Sequence, residues 1–303
     1  MAAPTPHAPS PGSPVPECRW NLRAQLAEGP LWIARDGALW FVDIKAHRLH
    51  RLDEAGGNTR TFAAPAQCSF IVPAADGTLI AGLQGGLSRF DPDTGTFERL
   101  VPVETELPGN RLNDAVVDPA GYLWFGSMDD DEREASGTFY RLDDDGQVRP
   151  RGFRCPITNG PAFSPDGRTG YFVDTLAKTV WAYDVDGDGR LSRQRVFVTL
   201  DDTPGSPDGP TVDADGFVWI GVYGGWCARR YDPSGTLVSV VELPVANVTK
   251  VALGSADGRT AYATTAAQRL DDAALASQPL AGGLFSWRTP VRGLPGVEVS
   301  HGI

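Results

Sequence analysis

The sequence predicts an all-β fold, a single six-bladed β-propeller, and three observations carry that prediction. A turn of Asp-Gly type followed by an alternating apolar strand recurs six times, as DGALWFVD from Asp36, DGTLIAGL from Asp76, AGYLWFGS from Ala120, DGRTGYFV from Asp166, DGFVWIGV from Asp215 and DGRTAYAT from Asp257. The copies lie about 45 residues apart, the length of a four-stranded blade. The 35 glycines and 25 prolines among 303 residues punctuate the chain too often for long helices, while a hydrophobic fraction of 41% suffices for a core.

Each element follows from that frame. The stretch before each turn is short and apolar (GPLWIA, FIVPAA, DAVVDP, GPAFSP, GPTVDA, VALGSA) and reads as the innermost strand of its blade. After the turn come a second strand and a further turn, as in HRLHRLDEAGG, LSRFDPDTG, TFYRLDDDG, TVWAYDVDGDG and RRYDPSG, which read as successive hairpins. Residues 18–303 make up the predicted propeller, with a strand between Cys18 and Leu26 completing the last blade. Residues 1–17, MAAPTPHAPSPGSPVPE, contain six prolines and no apolar run, so they are predicted as a disordered tail rather than a signal sequence.

Counting back seven residues from each turn gives Ser69, Asn113, Asn159, Asp208 and Lys250; one extra residue in the first blade shifts the equivalent to Glu28. Equivalent positions in a propeller converge on one axis, so these six side chains are expected to form a ring at one mouth of the channel. Two carboxylates confined together repel each other unless a cation neutralises them. Carboxylate and carboxamide oxygens without His or Cys are hard ligands, suited to a divalent cation such as Ca²⁺, Mg²⁺ or Mn²⁺.

Other features exclude alternatives. A net charge of -11 repels phosphate backbones and anionic lipid, so neither nucleic acid nor membrane is an expected partner. No apolar run approaches twenty residues, and the expectation is a cytoplasmic protein, monomeric because a propeller closes its own sheet edges. Cys18, Cys68, Cys155 and Cys227 have no CxxC spacing and are read as reduced, packed thiols. The run Asp184-Val185-Asp186-Gly187-Asp188-Gly189 starts like a calcium loop, but Arg195 replaces the bidentate Glu, leaving a turn. His47 and His50, on opposite faces of a strand, are expected to be exposed. No GxSxG, HExxH or P-loop motif occurs.

The segments AEGPLW, WFVDI, RLNDAVVDPAGYLWFGSM, ITNGPAFSPDG, VDT, SPDGPTVDADGFVW and QPLAGGLFSW, between Cys18 and Trp287, resemble the senescence marker protein, gluconolactonase and luciferin-regenerating enzyme family of six-bladed propellers. The last of them is similar to the bacterial sugar-acid lactonases of xylonolactonase or arabinolactonase type. The resemblance implies one divalent cation, with Ca²⁺, Mg²⁺, Mn²⁺, Zn²⁺ and Fe²⁺ all open, held by Glu28, Asn159 and Asp208. It implies substrate contacts from Arg111 and Asn113 of RLND. The acidic pair that follows GSM in relatives falls on Asp129-Asp130-Asp131, which makes Asp131 a candidate contact, shorter by a methylene than Glu. Lys250, from the ring register, is a further candidate for tuning substrate choice.

The implied activity is hydrolysis of a sugar lactone to its aldonic acid, with Asp208 as the general base, because a carboxylate ligand can keep one oxygen for the attacking water. Two other classes are weighed against it: a metal-dependent esterase or organophosphate hydrolase on the same fold, and a non-catalytic binding propeller. The charges of Arg111, Lys250 and residues 129–131 favour a polyhydroxylated ligand over an apolar one.

Overall fold

The computed structural model describes residues 14–55, 57–201 and 204–303; the expected disordered tail lies outside them for residues 1–13, and Glu17 already belongs to a strand. The described residues are nearly all strand and turn, with one short α-helix, α1 (Asp272–Ser277), and one 3₁₀ turn at Ala34–Asp36. Its N-cap, Asp271, accepts the Ala274 N–H at 2.8 Å, satisfying one of the free donors of a helix start.

Strand β1 (Glu17–Trp20) stands apart from its neighbours in sequence. The strands that follow are grouped in fours. The first unit holds β2 (Ala27–Ile33), β3 (Ala38–Asp43), β4 (Arg48–Asp53) and β5 (Thr59–Ala63); the second holds β6 (Cys68–Pro73), β7 (Leu79–Leu83), β8 (Gly86–Asp91) and β9 (Thr96–Pro102). The third holds β10 (Asn110–Val117), β11 (Leu123–Asp129), β12 (Gly137–Leu142) and β13 (Val148–Cys155); the fourth holds β14 (Thr158–Phe163), β15 (Thr169–Asp174), β16 (Thr179–Val185) and β17 (Leu191–Thr199). Next come β18 (Ser206–Val212), β19 (Val218–Tyr223), β20 (Cys227–Tyr231) and β21 (Leu237–Glu242). The last run, β22 (Val248–Gly254), β23 (Thr260–Thr265) and β24 (Leu284–Arg288), takes β1 as its fourth strand, so the two ends of the chain close one sheet. Pairing within every run is antiparallel. A single parallel bridge, Gly209 to Lys250, joins the last two runs into one eight-stranded sheet.

The first strands meet in a circuit, β2 against β6, then β10, β14, β18 and β22, which returns to β2. These strands are mostly buried, polar residues near their starts included, whereas the fourth strands alternate or are exposed. The repeated turn has a local cause. Asp118 accepts the N–H groups of Ala120 and Tyr122 through Oδ1 and the indole N–H of Trp124 through Oδ2, at 2.8 to 3.0 Å. Asp213 makes the same set with Asp215, Phe217 and Trp219. The Asp thus folds the turn and satisfies a tryptophan that must be buried. Trp40 and Trp124 are fully enclosed, and truncating either to Ala would cost about 3–5 kcal/mol.

His50 differs from the expectation of exposure: it is buried, stacked on Phe41 with ring centroids 5.0 Å apart and edge-on to Trp20 of β1. The first unit alone would leave that face open; β1, arriving from the N-terminus, covers it. His47 is exposed, as expected. In the Asp184–Gly189 run Asp184 and Val185 end β16 and the rest is a turn, with Asp186 Oδ1 accepting from the Asp188 and Arg190 backbone.

Candidate active site

Each first strand loses register with its second strand at one place: between Glu28 and Leu31, Cys68 and Phe70, Leu112 and Ala115, Asn159 and Ala162, Pro207 and Pro210, and Val248 and Val251. A bulge bends a strand and re-aims a side chain. The six ring positions read from the sequence, Glu28, Ser69, Asn113, Asn159, Asp208 and Lys250, all fall at these bulges, so an irregularity repeated six times delivers them to one end of the inner strands.

Four of the six line a single cavity of about 110 Å³: Glu28, Asn113, Asn159 and Asp208, joined by Arg111. Ser69 is spent elsewhere, its hydroxyl donating to the Leu112 carbonyl. Lys250 turns away from the cavity; its Nζ lies 2.5 Å from Asp114 Oδ1 and its stem lines a larger apolar cavity of about 360 Å³ with Trp32, Phe70 and the C-terminal Leu294. Asp131 is exposed and paired with Arg133, outside the lining. Its neighbour Asp130 is the residue of that run that reaches inward, bridging Arg111 Nε at 2.7 Å, Lys45 Nζ at 2.5 Å and Gln67 Nε2 at 2.9 Å.

The cavity wall is preorganised. Asp43 anchors the entry to β2 by accepting the Gln25 and Leu26 N–H groups at 3.0 and 3.1 Å, which fixes where Glu28 begins. Arg111 Nη1 donates to Asn113 Oδ1 at 2.7 Å and to the Leu112 carbonyl at 3.0 Å. Asn113 Nδ2 donates onward to Asn159 Oδ1, and Asn159 Nδ2 donates to Thr175 Oγ1 at 2.9 Å. Arg111 Nη2 is left without a protein partner among the described residues, a charged donor at the cavity.

Glu28 and Asp208 are buried carboxyls. Burial, reinforced by the charge of Asp114, pushes Glu28 up to about 7 against the pull of the Gly29 N–H, Lys250 and Arg111. Burial, then the charges of Glu28 and Asp114, raises Asp208 well above the carboxylate range. Both groups therefore lack a sufficient counter-charge: Lys250 is matched by Asp114 and Arg111 by Asp130. Two unmatched carboxylates and the carboxamide oxygen of Asn159 fit one hard divalent cation in both charge and donor type. Among the described residues no three His, Cys, Asp or Glu side chains cluster tightly enough to hold a metal by themselves, so the carboxamide is needed to complete the set.

Sequence reasoning missed Asp114, Asp130 and the mouth pair Glu132–Arg269, whose side chains meet at 2.5 Å and line the cavity. A signal existed for Asp114. It is a charge directly before the apolar stretch Ala115–Val117 of an inner strand, and a buried charge needs a partner; Lys250 is the cation in the equivalent strand β22.

A ring of inner strands with a polar cavity at one end defines this molecule as an all-β protein with a candidate site on its inner strands. The chain belongs to the SMP-30/gluconolactonase/LRE-like family, whose family model matches residues 26–267. It is 37% identical to the L-arabinolactonase of Azospirillum brasilense over 90% of this chain and 92% of that protein. It is 36% identical to a pentonolactonase of Haloferax volcanii over 81% and 83% of the two chains. Among solved structures, the calcium-binding protein regucalcin from Agrobacterium tumefaciens superposes with a TM-score of 0.90 at 29% identity, covering 99% of this chain and 100% of that one.

Proposed function

We propose that this chain hydrolyses a sugar lactone to the corresponding aldonic acid, at a divalent-cation site held by Glu28, Asn159 and Asp208 in the channel of a six-bladed β-propeller. The observation that carries the reading is the convergence of those three residues with Arg111 and Asn113 on one cavity. Relatives named arabinolactonase and pentonolactonase support the substrate class. The six four-stranded runs and the closed circuit of first strands support the blade count. With residues 18–303 as one propeller, β1 completes the last run as its fourth strand, which favours a monomer, and we place that monomer in the cytoplasm as part of the same proposal. Among the described residues no helix is long and apolar enough to cross a membrane.

When bound, the cation supplies Lewis acidity toward the lactone carbonyl oxygen. Arg111 Nη2 donates a charge-assisted hydrogen bond to the substrate, and Asn113, held by Arg111, orients its hydroxyls. Asp208 accepts a proton from the attacking water as the new C–O bond forms, because a carboxylate that gives one oxygen to the cation keeps the other for that water. The ring C–O bond then breaks, and the proton returns from Asp208 to the departing ring oxygen, giving the open-chain acid. Asp131, paired with Arg133 outside the lining, has no role in this step, and Lys250 acts through Asp114 rather than by contact.

The test is pH-stat hydrolysis of a panel of pentono- and hexonolactones by wild type and Asp208→Ala, after chelation and after return of Ca²⁺, Mg²⁺, Mn²⁺, Zn²⁺ or Fe²⁺, with spontaneous opening subtracted. Cation-dependent turnover lost in the variant is expected. Folded wild type without turnover on any lactone would direct attention to aryl-ester and organophosphate substrates, and then to a binding role.

A further inference from the structure

We infer that Asp114 and Lys250 are positioning residues of this centre, a buried ion pair beneath the cavity that holds the backbone after two of the candidate ligands and sets the negative charge they present. The inference rests on the cation site proposed above. Asp114, on β10, is buried and does not line the cavity. Its oxygens are committed to protein: Oδ1 to Lys250 Nζ at 2.5 Å and to the Ala115 N–H at 2.8 Å, Oδ2 to the Gly160 N–H at 2.9 Å. Gly160 follows Asn159 directly.

Lys250 lies on β22, opposite Gly209 in the bridge between β18 and β22, and Gly209 follows Asp208. A Cβ on Gly209 would come within 2.7 Å of Lys250 Cδ and 3.0 Å of Asp114 Oδ2, so the pair passes against the backbone of the second ligand too. One carboxylate and one ammonium thereby tie together β10, β14, β18 and β22. A lone Asp114 would add a third uncompensated negative charge next to Glu28 and Asp208, and a lone Lys250 would cancel half of what a divalent cation needs. The pair removes both effects while fixing the geometry. An apolar pair of similar shape could supply packing alone; the ionic pair adds a charge setting that can be read out by its sign.

Mn²⁺ titrated by calorimetry and by its electron spin resonance signal tests this with wild type, Asp114→Asn, Lys250→Met and the double variant, each checked for folding by circular dichroism. Asp114→Asn is expected to weaken Mn²⁺ binding by roughly tenfold or more and Lys250→Met to tighten it by roughly tenfold, with the double variant returning to within about threefold of wild type. A merely structural pair would weaken binding in both single variants, and that result, or a double variant no better than Asp114→Asn, overturns the inference. If Lys250→Met does not fold, the comparison of Asp114→Asn with the double variant decides alone. Folded wild type that binds no Mn²⁺ overturns the cation site itself, and the inference with it, whereas wild-type binding with same-sign shifts overturns the inference only.

Discussion

Asn113 donates through Nδ2 to Asn159 Oδ1 at 3.0 Å while its own Oδ1 accepts from Arg111 Nη1 at 2.7 Å, so a carboxamide links the free guanidinium donor to a candidate ligand. Groups that orient a ligand are typically worth 10- to 100-fold in metal affinity or activity. Asn113→Ala is expected to lose roughly 10- to 100-fold in kcat/KM and to weaken cation binding in calorimetry. Cation affinity unchanged within about twofold would mean that Asn159 is held by Thr175 alone.

The raised Glu28 carboxyl makes the cation's effect on stability pH-dependent. Because its folded pKa of about 7 lies above its ordinary value of 4.5, the native state binds more protons than the unfolded state between those limits. Stability of the chelated protein is then greatest on the acid side and falls as pH rises through about 7. A bound cation removes that loss. The rise in melting temperature on adding Mn²⁺ is expected to be larger at pH 8 than at pH 5, and Glu28→Gln should raise the chelated melting point at pH 8 while abolishing the Mn²⁺ response. Equal Mn²⁺ shifts at both pH values would show that Glu28 is not a ligand.

Much of this centre was legible in the sequence because a propeller converts a linear repeat into a ring. Each inner-strand bulge lies at a nearly fixed distance before its Asp-Gly turn, so counting back from Asp166 and Asp215 reaches Asn159 and Asp208 without any structure. What the count cannot supply is where a long side chain ends. Lys250 shares the register of Asp208 yet reaches Asp114, because partner choice depends on which neighbouring strand offers a buried charge. Glu132 and Arg269 sit on loops between strands, where no register applies. His50 was misjudged for a topological reason: its hairpin looks open until β1, distant in sequence, lies over it.

His50 supplies the opposite pH dependence. Burial pulls its folded pKa down to about 4 from 6.5, so the unfolded state binds more protons in that window. Its contribution is fully present above about 6.5 and is lost as pH falls toward 4. Urea unfolding of the Mn²⁺-saturated protein should therefore show a midpoint dropping between pH 6.5 and 4.5. His50→Gln should flatten that limb and lower stability at pH 7.5 by about 1 kcal/mol, through loss of the ring contacts and of the 3.0 Å bond to Thr61. An unchanged acid limb in the variant would place the titrating group elsewhere.

The seal between the chain ends should carry stability out of proportion to its length. Trp20 is the residue of β1 that packs edge-on against both Phe41 and His50, with centroids 5.8 and 5.3 Å away. Removing residues 1–13 is expected to leave the melting temperature unchanged. Removing residues 1–20 strips β1 from β24 and opens that aromatic cluster, with an expected cost of about 3 kcal/mol or more. Calorimetric scans of the two truncations decide; equal melting points would mean that β24 serves as a stable edge without β1.

Glu28, Asn159 and Asp208 are each followed by Gly-Pro, and the three glycines answer to different constraints. Gly160 has φ +81°, and an added Cβ would lie 2.8 Å from the rigid ring of Pro210. Gly29 has φ +55° but would meet its nearest neighbour, the Ser69 carbonyl, at 3.3 Å. Gly209 is not in the left-handed region; its obstacle is the yielding Lys250 stem. Gly160→Ala is therefore expected to be the most destabilising of the three, by about 2 kcal/mol or more, with Gly29→Ala nearer 1 kcal/mol. Gly209→Ala should displace Lys250 from Asp114 and alter Mn²⁺ affinity more than melting temperature. A Gly209→Ala protein with wild-type Mn²⁺ affinity and a lowered melting point would place the strain in the sheet bridge rather than in the ion pair.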